Sequence, residues 1–196
     1  MTNVAIIGQG NVGFALEEGL EPSEHDVKTV GHQADEVHDT ADWGEIVVLA
    51  VPFDERENAV EEMGNTIEGK TLVDVTNAIT DDNEYASSTE KSGAEELQEM
   101  ASEANVVKAF NTVFAEQMSQ GNSHGEPLTV FVAGDNDTAR QHTSSLAEDI
   151  GFETADTGPL ENARWLEGMG YLHVKLAYEQ GMGDEIGFHL VNPRGS

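Results

Sequence analysis

A chain of 196 residues with 38 acidic and 9 basic side chains, a formal charge of -29, is long enough for one good core, or one dinucleotide-binding domain with a small appendage. The shortage of Lys and Arg excludes a nucleic-acid partner, since phosphate neutralisation depends on them, and the same field repels anionic membranes. With no cysteine, disulfides, thiolate metal sites and thiol nucleophiles are excluded as well. The acidity runs the whole length, and 38% hydrophobic content in regular apolar runs argues for a folded protein over a disordered one. Nothing resembles a signal peptide, and no apolar run approaches the ~20 residues of a spanning helix. A soluble, cytoplasmic protein is expected.

The first stretch sets the fold class. Residues 4–7 are continuously apolar and stop at Gly8, and from Val12 onward the apolar spacing is helical: strand, glycine turn, helix. Gly8, Gly10 and Gly13 have the G-x-G-x-x-G spacing of a dinucleotide-binding turn. The first glycine permits the turn, the second lets backbone approach a pyrophosphate, and the third lets helix lie close to strand. Gln9, Asn11 and Val12 fill the loop, and the free N–H groups at the helix start face the phosphates.

The helix ends near Gly19, and residues 25–30 read as a second strand. An Asp or Glu after it would bind the ribose diol and repel a 2′-phosphate; here Gly31, His32, Gln33 and Ala34 follow, which tilts the cofactor toward NADP. Residues 39–44 read as a polar connection and 45–52 as a third strand buried on both faces and stopped by Pro52. A loop and helix run from Phe53 to Met63. The fourth strand, 71–75, leads into Thr76 and Asn77, and 81–92 is a polar loop. Ser92 and Glu95 have capping-box spacing for a helix to about residue 104. The fifth strand, 106–110, leads into Asn111, Thr112, Val113, Phe114 and Ala115. In open parallel sheets ligands bind beyond such strand ends.

Residues 128–133 make a sixth strand, 135–150 a helix and 152–155 a seventh strand. This alternation indicates an α/β fold, a Rossmann doubly wound, mainly parallel sheet with a small C-terminal helical part. Residues 1–157 form the expected dinucleotide-binding domain, 158–192 a helical segment serving dimer contact and acceptor site, and 193–196 an appended remnant. The stretch 160–178 is helical in spacing although Gly168 and Gly170 interrupt it. Each costs ~1 kcal/mol relative to Ala, so something should approach closely there, a partner's copy of the helix included. Trp165 and Met169, four apart, read as core. Met182, between Gly181 and Gly183, reads as pocket lining, and 186–191 as an apolar tail.

Gly8-Gln9-Gly10-Asn11-Val12-Gly13, the Val51-Pro52 strand end, Asp156-Thr157-Gly158-Pro159-Leu160-Glu161-Asn162-Ala163-Arg164 and Gly181-Met182-Gly183 occur in an order that resembles the archaeal NADPH-dependent reductases of the deazaflavin coenzyme F420. Few Lys and many Asp and Glu look, in addition, like haloarchaeal proteins, whose counterions screen self-repulsion over a Debye length of ~3 Å near 1 M salt. The resemblance implies a homodimer and hydride transfer between NADPH and a deazaflavin stacked on its nicotinamide. It places Gln9, Gly10, Asn11 and Val12 on the pyrophosphate, His32 and Gln33 where a Ser-Arg pair grips the 2′-phosphate, and Ala50, Val51 and Pro52 beside the nicotinamide with Thr76 and Asn77. A further basic position of the family falls at Val37. The family's H-T-I-P-A-A stretch is here Asn111-Thr112-Val113-Phe114-Ala115-Glu116, so that Ala115 offers backbone groups to the carboxamide, while Phe114 and Glu116 alter the floor of the acceptor site. Phe53, Asn111, Thr112, Phe114, Met182 and Gly183 are the expected acceptor contacts.

Such chemistry needs two planar rings held with reacting atoms ~3–3.5 Å apart and water excluded, and no acid-base side chain. No catalytic residue is therefore assigned. His173 is the one histidine to weigh as an acid, against a packing role; His25, His38, His142 and His189 read as surface. No metal-ligand spacing is present. The alternatives are an NADPH-dependent reductase of another flat acceptor, a flavin or an imine, and an NADP-binding sensor without catalysis.

Overall fold

Alternate residues of the first strands face two different cores, and this makes them continuously apolar. The computed structural model describes residues 1–79, 84–86 and 90–191. In β1 (Asn3–Ile7), Val4 and Ile6 enter one apolar cluster and Ala5 and Ile7 the other. α1 (Asn11–Leu20) and β2 (Asp26–Val30) follow, then α2 (Ala34–Trp43) and β3 (Ile46–Leu49), whose residues divide between the clusters in the same way. A 3-10 turn at Phe53–Glu55 leads into α3 (Arg56–Met63), and β4 (Thr71–Asp74) comes next. α4 (Gly93–Met100), β5 (Asn105–Lys108), the single turn α5 (Ala115–Met118) and a small hairpin of β6 (Asn122–Ser123) with β7 (Glu126–Pro127) complete the middle of the chain. β8 (Thr129–Gly134), α6 (Asp137–Ile150), β9 (Glu153–Asp156) and α7 (Ala163–Val174) close it.

The seven-stranded sheet has the order β2-β1-β3-β4-β5-β8-β9. All neighbours are parallel except β5 and β8, which pair antiparallel through Val107 with Gly134 and Lys108 with Ala133. The chain leaves β1 for β2 on one side and returns to β3 on the other. That reversal opens a crevice beyond the carboxyl ends of β1 and β3, the place where doubly wound sheets take ligands.

Several elements depart from the sequence-based expectation. The polar connection at 39–44 is the second half of α2, where Val37, Thr40 and Ala41 make a buried stripe three and four residues apart. Asp35 and Glu36 in its first turn suit the positive end of the helix. β3 stops at Leu49, short of Pro52, and α4 stops at Met100, short of 104. Its start is as expected: Ser92 Oγ accepts from Glu95 N–H at 3.1 Å while Ser92 N–H donates to Glu95 Oε2 at 2.7 Å. The loop expected at 81–92 lies partly outside the described residues, as does 193–196. His25 is not on the open surface; its side chain is 13% exposed and its Nε2 lies 2.9 Å from Asp149 Oδ2.

α7 runs without a break through Gly168 and Gly170 and widens into a π turn at Lys175–Glu179. Trp165, expected in the core, is 63% exposed, while Met169 packs at the core margin. Only one of the two glycines is under close approach. A Cβ on Gly170 would stand 2.7 Å from Asn77 Oδ1, 2.7 Å from Asn111 Nδ2 and 2.8 Å from Asn111 O, whereas one on Gly168 would meet only Tyr85 Oη at 3.7 Å. Beyond α7 the chain returns along β8: Thr129 N–H donates to Phe188 O at 2.8 Å, and Leu190 N–H to Thr129 Oγ1 at 2.9 Å. Gly170→Ala therefore forces α7 off the two asparagines, at a cost of ~1–3 kcal/mol. Urea unfolding in about molar KCl should show that loss, and an unchanged midpoint would mean that the contact is softer than drawn.

Candidate functional site

The crevice is shaped by what the glycine turn cannot accommodate. At Gly8 φ is 126°, and an added Cβ would fall 2.1 Å from Ala50 O; at Gly13 it would fall 2.0 Å from Gly8 O. Neither side chain nor wider turn fits, so β1, β3 and α1 meet through bare backbone. Gly10 is different. It has open space around its Cβ position and caps α1 without a side-chain hydrogen bond, so the first amides of the helix point outward unclaimed by a cap. Gly8 N–H donates to Val30 O at 2.8 Å and Ala50 N–H to Ile7 O at 2.8 Å, which fixes the turn between the flanking strands. Gln9 reaches back across the mouth, its Nε2 donating to Thr29 O at 3.4 Å.

A cleft of about 270 Å³ opens from this turn. Gly8, Gln9 and Gly10 form one wall, Ala50, Val51 and Pro52 a second, and Gly31, His32 and Val37 a third. Sequence reasoning missed the fourth wall, Glu55, Asn58, Ala59 and Glu62 from α3 and the turn before it. Ala59 is buried in the core while Glu55, Asn58 and Glu62 are polar residues of a turn and an ordinary helix, and nothing in their spacing marks them. The lining described here fits a dinucleotide in two respects: a backbone cradle for a pyrophosphate, and an uncharged wall at Ala50, Val51 and Pro52. Toward a 2′-phosphate it offers His32, the sole side chain of the lining able to carry positive charge, and no Lys or Arg.

The remaining expected residues lie outside that lining. Thr76 is buried with its N–H and hydroxyl both donating to Asp74 Oδ1, at 2.9 and 2.7 Å. Asn77 and Asn111 stand at the ends of β4 and β5 under Gly170, with Asn111 Nδ2 donating to Leu166 O at 2.8 Å. Thr112 is buried. Phe114 packs its ring 4.1 Å from that of His173 and 5.9 Å from that of Tyr178, and Ala115 opens α5. Phe53 turns to Arg56, whose guanidinium lies 3.4 Å from the ring centre, and to Gly93. Met182 is 60% exposed, and Gly183, at φ 80°, donates its N–H to Ala177 O at 3.1 Å as a helix-end turn. Asn11, Val12 and Gln33 flank the cleft from α1 and from the start of α2.

A buried charge cluster underlies this second group. Lys108, Asp74 and Glu167 are 0%, 0% and 1% exposed. Lys108 Nζ lies 2.9 Å from Asp74 Oδ2 and 3.6 Å from Glu167 Oε1, and donates to Thr76 O at 2.6 Å. Glu167 in turn accepts from the N–H groups of Gly93 and Ala94, at 2.9 and 3.0 Å, in the first turn of α4. Signals for the cluster existed in the sequence: a lysine within 106–110 and an aspartate within 71–75, both otherwise apolar strands, since such residues are buried only when paired. Among the described residues no group of three or more His, Cys, Asp and Glu stands ready to hold a metal ion. No helix among them is long and apolar enough to cross a membrane.

His173 is a packing residue. It is 2% exposed, lies between the rings of Phe114 and Phe188, and has its Nε2 3.0 Å from Ile186 O. Burial pushes its pKa down, against the smaller opposing effect of the Ile186 carbonyl. Because the folded state disfavours the imidazolium, the unfolded chain binds the extra proton, and stability drops as pH falls through the ordinary histidine range near ~6.5. Thermal melts of the wild type and His173→Gln between pH 7.5 and 5.5 should show the wild type losing more stability on acidification; parallel curves would remove His173 as the cause.

No protein-family model matches the chain. The rat metalloreductase STEAP3 is 32% identical over 123 residues, which are 63% of this chain and 24% of that protein. The F420-dependent NADP reductase of Methanocaldococcus jannaschii is 27% identical over 184 residues, 89% of this chain and 82% of that one. The chain thus spans about a quarter of the length of the first relative and most of the second. A crystal structure from Arthrobacter sp. FB24, provisionally described as an F420-dependent NADP reductase, superposes with a TM-score of 0.88 at 23% identity, over 98% of this chain and 100% of that one. At that identity the likeness is one of fold, and it is a Rossmann-type α/β architecture with a helical C-terminal part.

Proposed function

We propose that this chain transfers hydride between NADP(H) and the deazaflavin coenzyme F420. In coarser terms it is an NADP-dependent reductase, the class in which its full-length relative falls. F420 as the acceptor rests on the name of that relative and on the motif order around 156–164 and 181–183. The observation that carries the reading is the backbone cradle of Gly8 and Gly13, opening into a cleft whose wall at Ala50, Val51 and Pro52 bears no charge.

Bound NADPH would supply the hydride from its nicotinamide ring. The chain's own part is to bind, to orient and to exclude water. Gln9, Gly10, Asn11 and Val12 hold the pyrophosphate at the start of α1, His32 and Gln33 meet the 2′-phosphate, and Val51 and Pro52 border the ring. Ala115 offers backbone groups to the carboxamide. No side chain need donate or accept a proton, because the hydride passes directly between ring carbons. In this reading 1–157 binds the dinucleotide, and 158–192 closes the acceptor side and meets a second copy in a cytoplasmic homodimer.

Absorbance at the deazaflavin band, with oxidised F420 in about molar KCl, tests the reading. Bleaching with NADPH and much less with NADH is the expected result, and His32→Ala should cut that preference by ~10-fold or more, as loss of a charge-assisted hydrogen bond would. Binding of NADPH without bleaching would shift the acceptor to a flavin or imine, or leave a sensor.

The homodimer is favoured by one face of α7, where Trp165 and Leu172, seven residues apart, are 63% and 50% exposed. Gly168 lies between them. Gly168→Leu should lower the dimer fraction in light scattering, and an unchanged dimer would place the contact elsewhere.

A further inference from the structure

The carboxylate that would select NAD after β2 is missing at residues 31–34, yet two carboxylates stand on another wall of the same cleft. Val37 of α2 and Ala59 of α3 both line it and belong to one apolar cluster, so α3 is packed beside the loop that follows β2. Glu55, in the turn before α3, and Glu62, one turn beyond Ala59, border the cleft from that side. Glu62 is held in place, since Asn58 Nδ2 donates to its Oε1 at 2.9 Å. Arg56, the basic residue between them in sequence, is turned away: it is buried, donates to Phe53 O at 2.8 Å and to Gly93 O at 2.7 Å, and lies 3.6 Å from Glu96 Oε2. The lining thus combines two carboxylates with His32 and no Lys or Arg.

We propose that Glu55 and Glu62 are specificity-determining residues of the cleft, which oppose the adenosine 2′-phosphate and make the choice between NADPH and NADH depend on ionic strength. The 2′-phosphate adds about −1.5 to −2 charge at pH 7 to a ligand otherwise the same. Because the two carboxylates share with it a cleft of about 270 Å³, they act over the Debye length of ~10 Å that holds at 0.1 M salt, and that length shrinks to ~3 Å at 1 M. Repulsion therefore fades as salt rises. The hydrogen bonds that His32 and Gln33 offer the phosphate are short in range and persist, so the cleft favours NADPH in concentrated salt and gives up much of that preference in dilute buffer. A pocket built on Lys and Arg behaves in the opposite sense, since salt screens an attraction there. This inference rests on the dinucleotide reading of the cleft and is independent of the acceptor.

The test measures dissociation constants of NADPH and NADH for the full chain by cofactor fluorescence, at about 0.1 M and about 1 M KCl, with NADH binding at each salt as the control for a folded cleft. The ratio Kd(NADH)/Kd(NADPH) of the wild type should rise about tenfold with salt. In the double variant Glu55→Gln/Glu62→Gln it should rise less than about twofold, because that variant already binds NADPH more tightly in the dilute buffer. Glu57→Gln makes the same kind of charge change on α3 outside the lining and should follow the wild type. A wild-type ratio that stays flat or falls with salt overturns the proposal. So does a double variant that keeps the wild-type rise, since the effect then belongs to the overall charge of the chain. Failure of the NADP assignment looks different: a wild type that binds NADH more tightly at both salts refutes that assignment, while the rise of the ratio and its loss in the double variant still decide the role of the two glutamates.

Discussion

Backbone contact without side chains at Gly8, Ala50 and Gly13 is the constraint on which the rest of the structure depends. The carbonyl of Ala50 occupies the place of a Gly8 side chain, and the carbonyl of Gly8 occupies that of Gly13. The contact draws β1, β3 and α1 together at the sheet's reversal, and α1 then points its N-terminus into the crevice so formed. It explains why the cleft walls come from three separate returns of the chain, after β1, β2 and β3. It also explains the apolar composition of β1 and β3, which must be covered on both faces for the loops to stand where they do.

The ends of β4 and β5 are built on a different principle. There the elements are joined by charge: a buried ammonium binds β4 and β5 to α7, and a buried carboxylate binds α7 to the start of α4. Such a cluster discriminates sharply, since removing one member of a buried pair costs ~3–5 kcal/mol while a fully matched set adds little net stability. The sheet around the glycine turn therefore tolerates a change of side chain wherever shape is kept, and the cluster tolerates few changes at Asp74, Lys108 and Glu167. Surface acidity reaches the cleft through Glu55 and Glu62, which line it opposite the glycine turn.

The glycine turn, the order of strands and helices and the capping box at Ser92 were legible because each rests on local pattern. α2 was not, because its buried stripe is short and its other residues are acidic, so that charge masked period. Trp165 was misplaced for the opposite reason: a large apolar residue at helical spacing reads as core, and the sequence carries no sign of which face of a terminal helix is covered. The pairing of β5 with β8 in the opposite sense also lay beyond reach, since the long connection through α5 and the small hairpin permits either direction. Of the site, the phosphate cradle was visible and the α3 wall was not, for helix faces that look into a cleft and into solvent have the same composition.

The strand-like return of the last described residues along β8 has a consequence for synthesis. Every residue that lines the cleft lies between Ile7 and Glu62, whereas the apolar clusters beneath it draw on residues as late as Phe152 and Leu166. The ties on the other side, Thr129 to Phe188 and His173 to Ile186, come later still along the chain. A domain folds as a unit. A ribosome-bound chain therefore carries all the lining residues well before it carries the core that holds them in place, and the cleft takes shape only once the later strands have emerged.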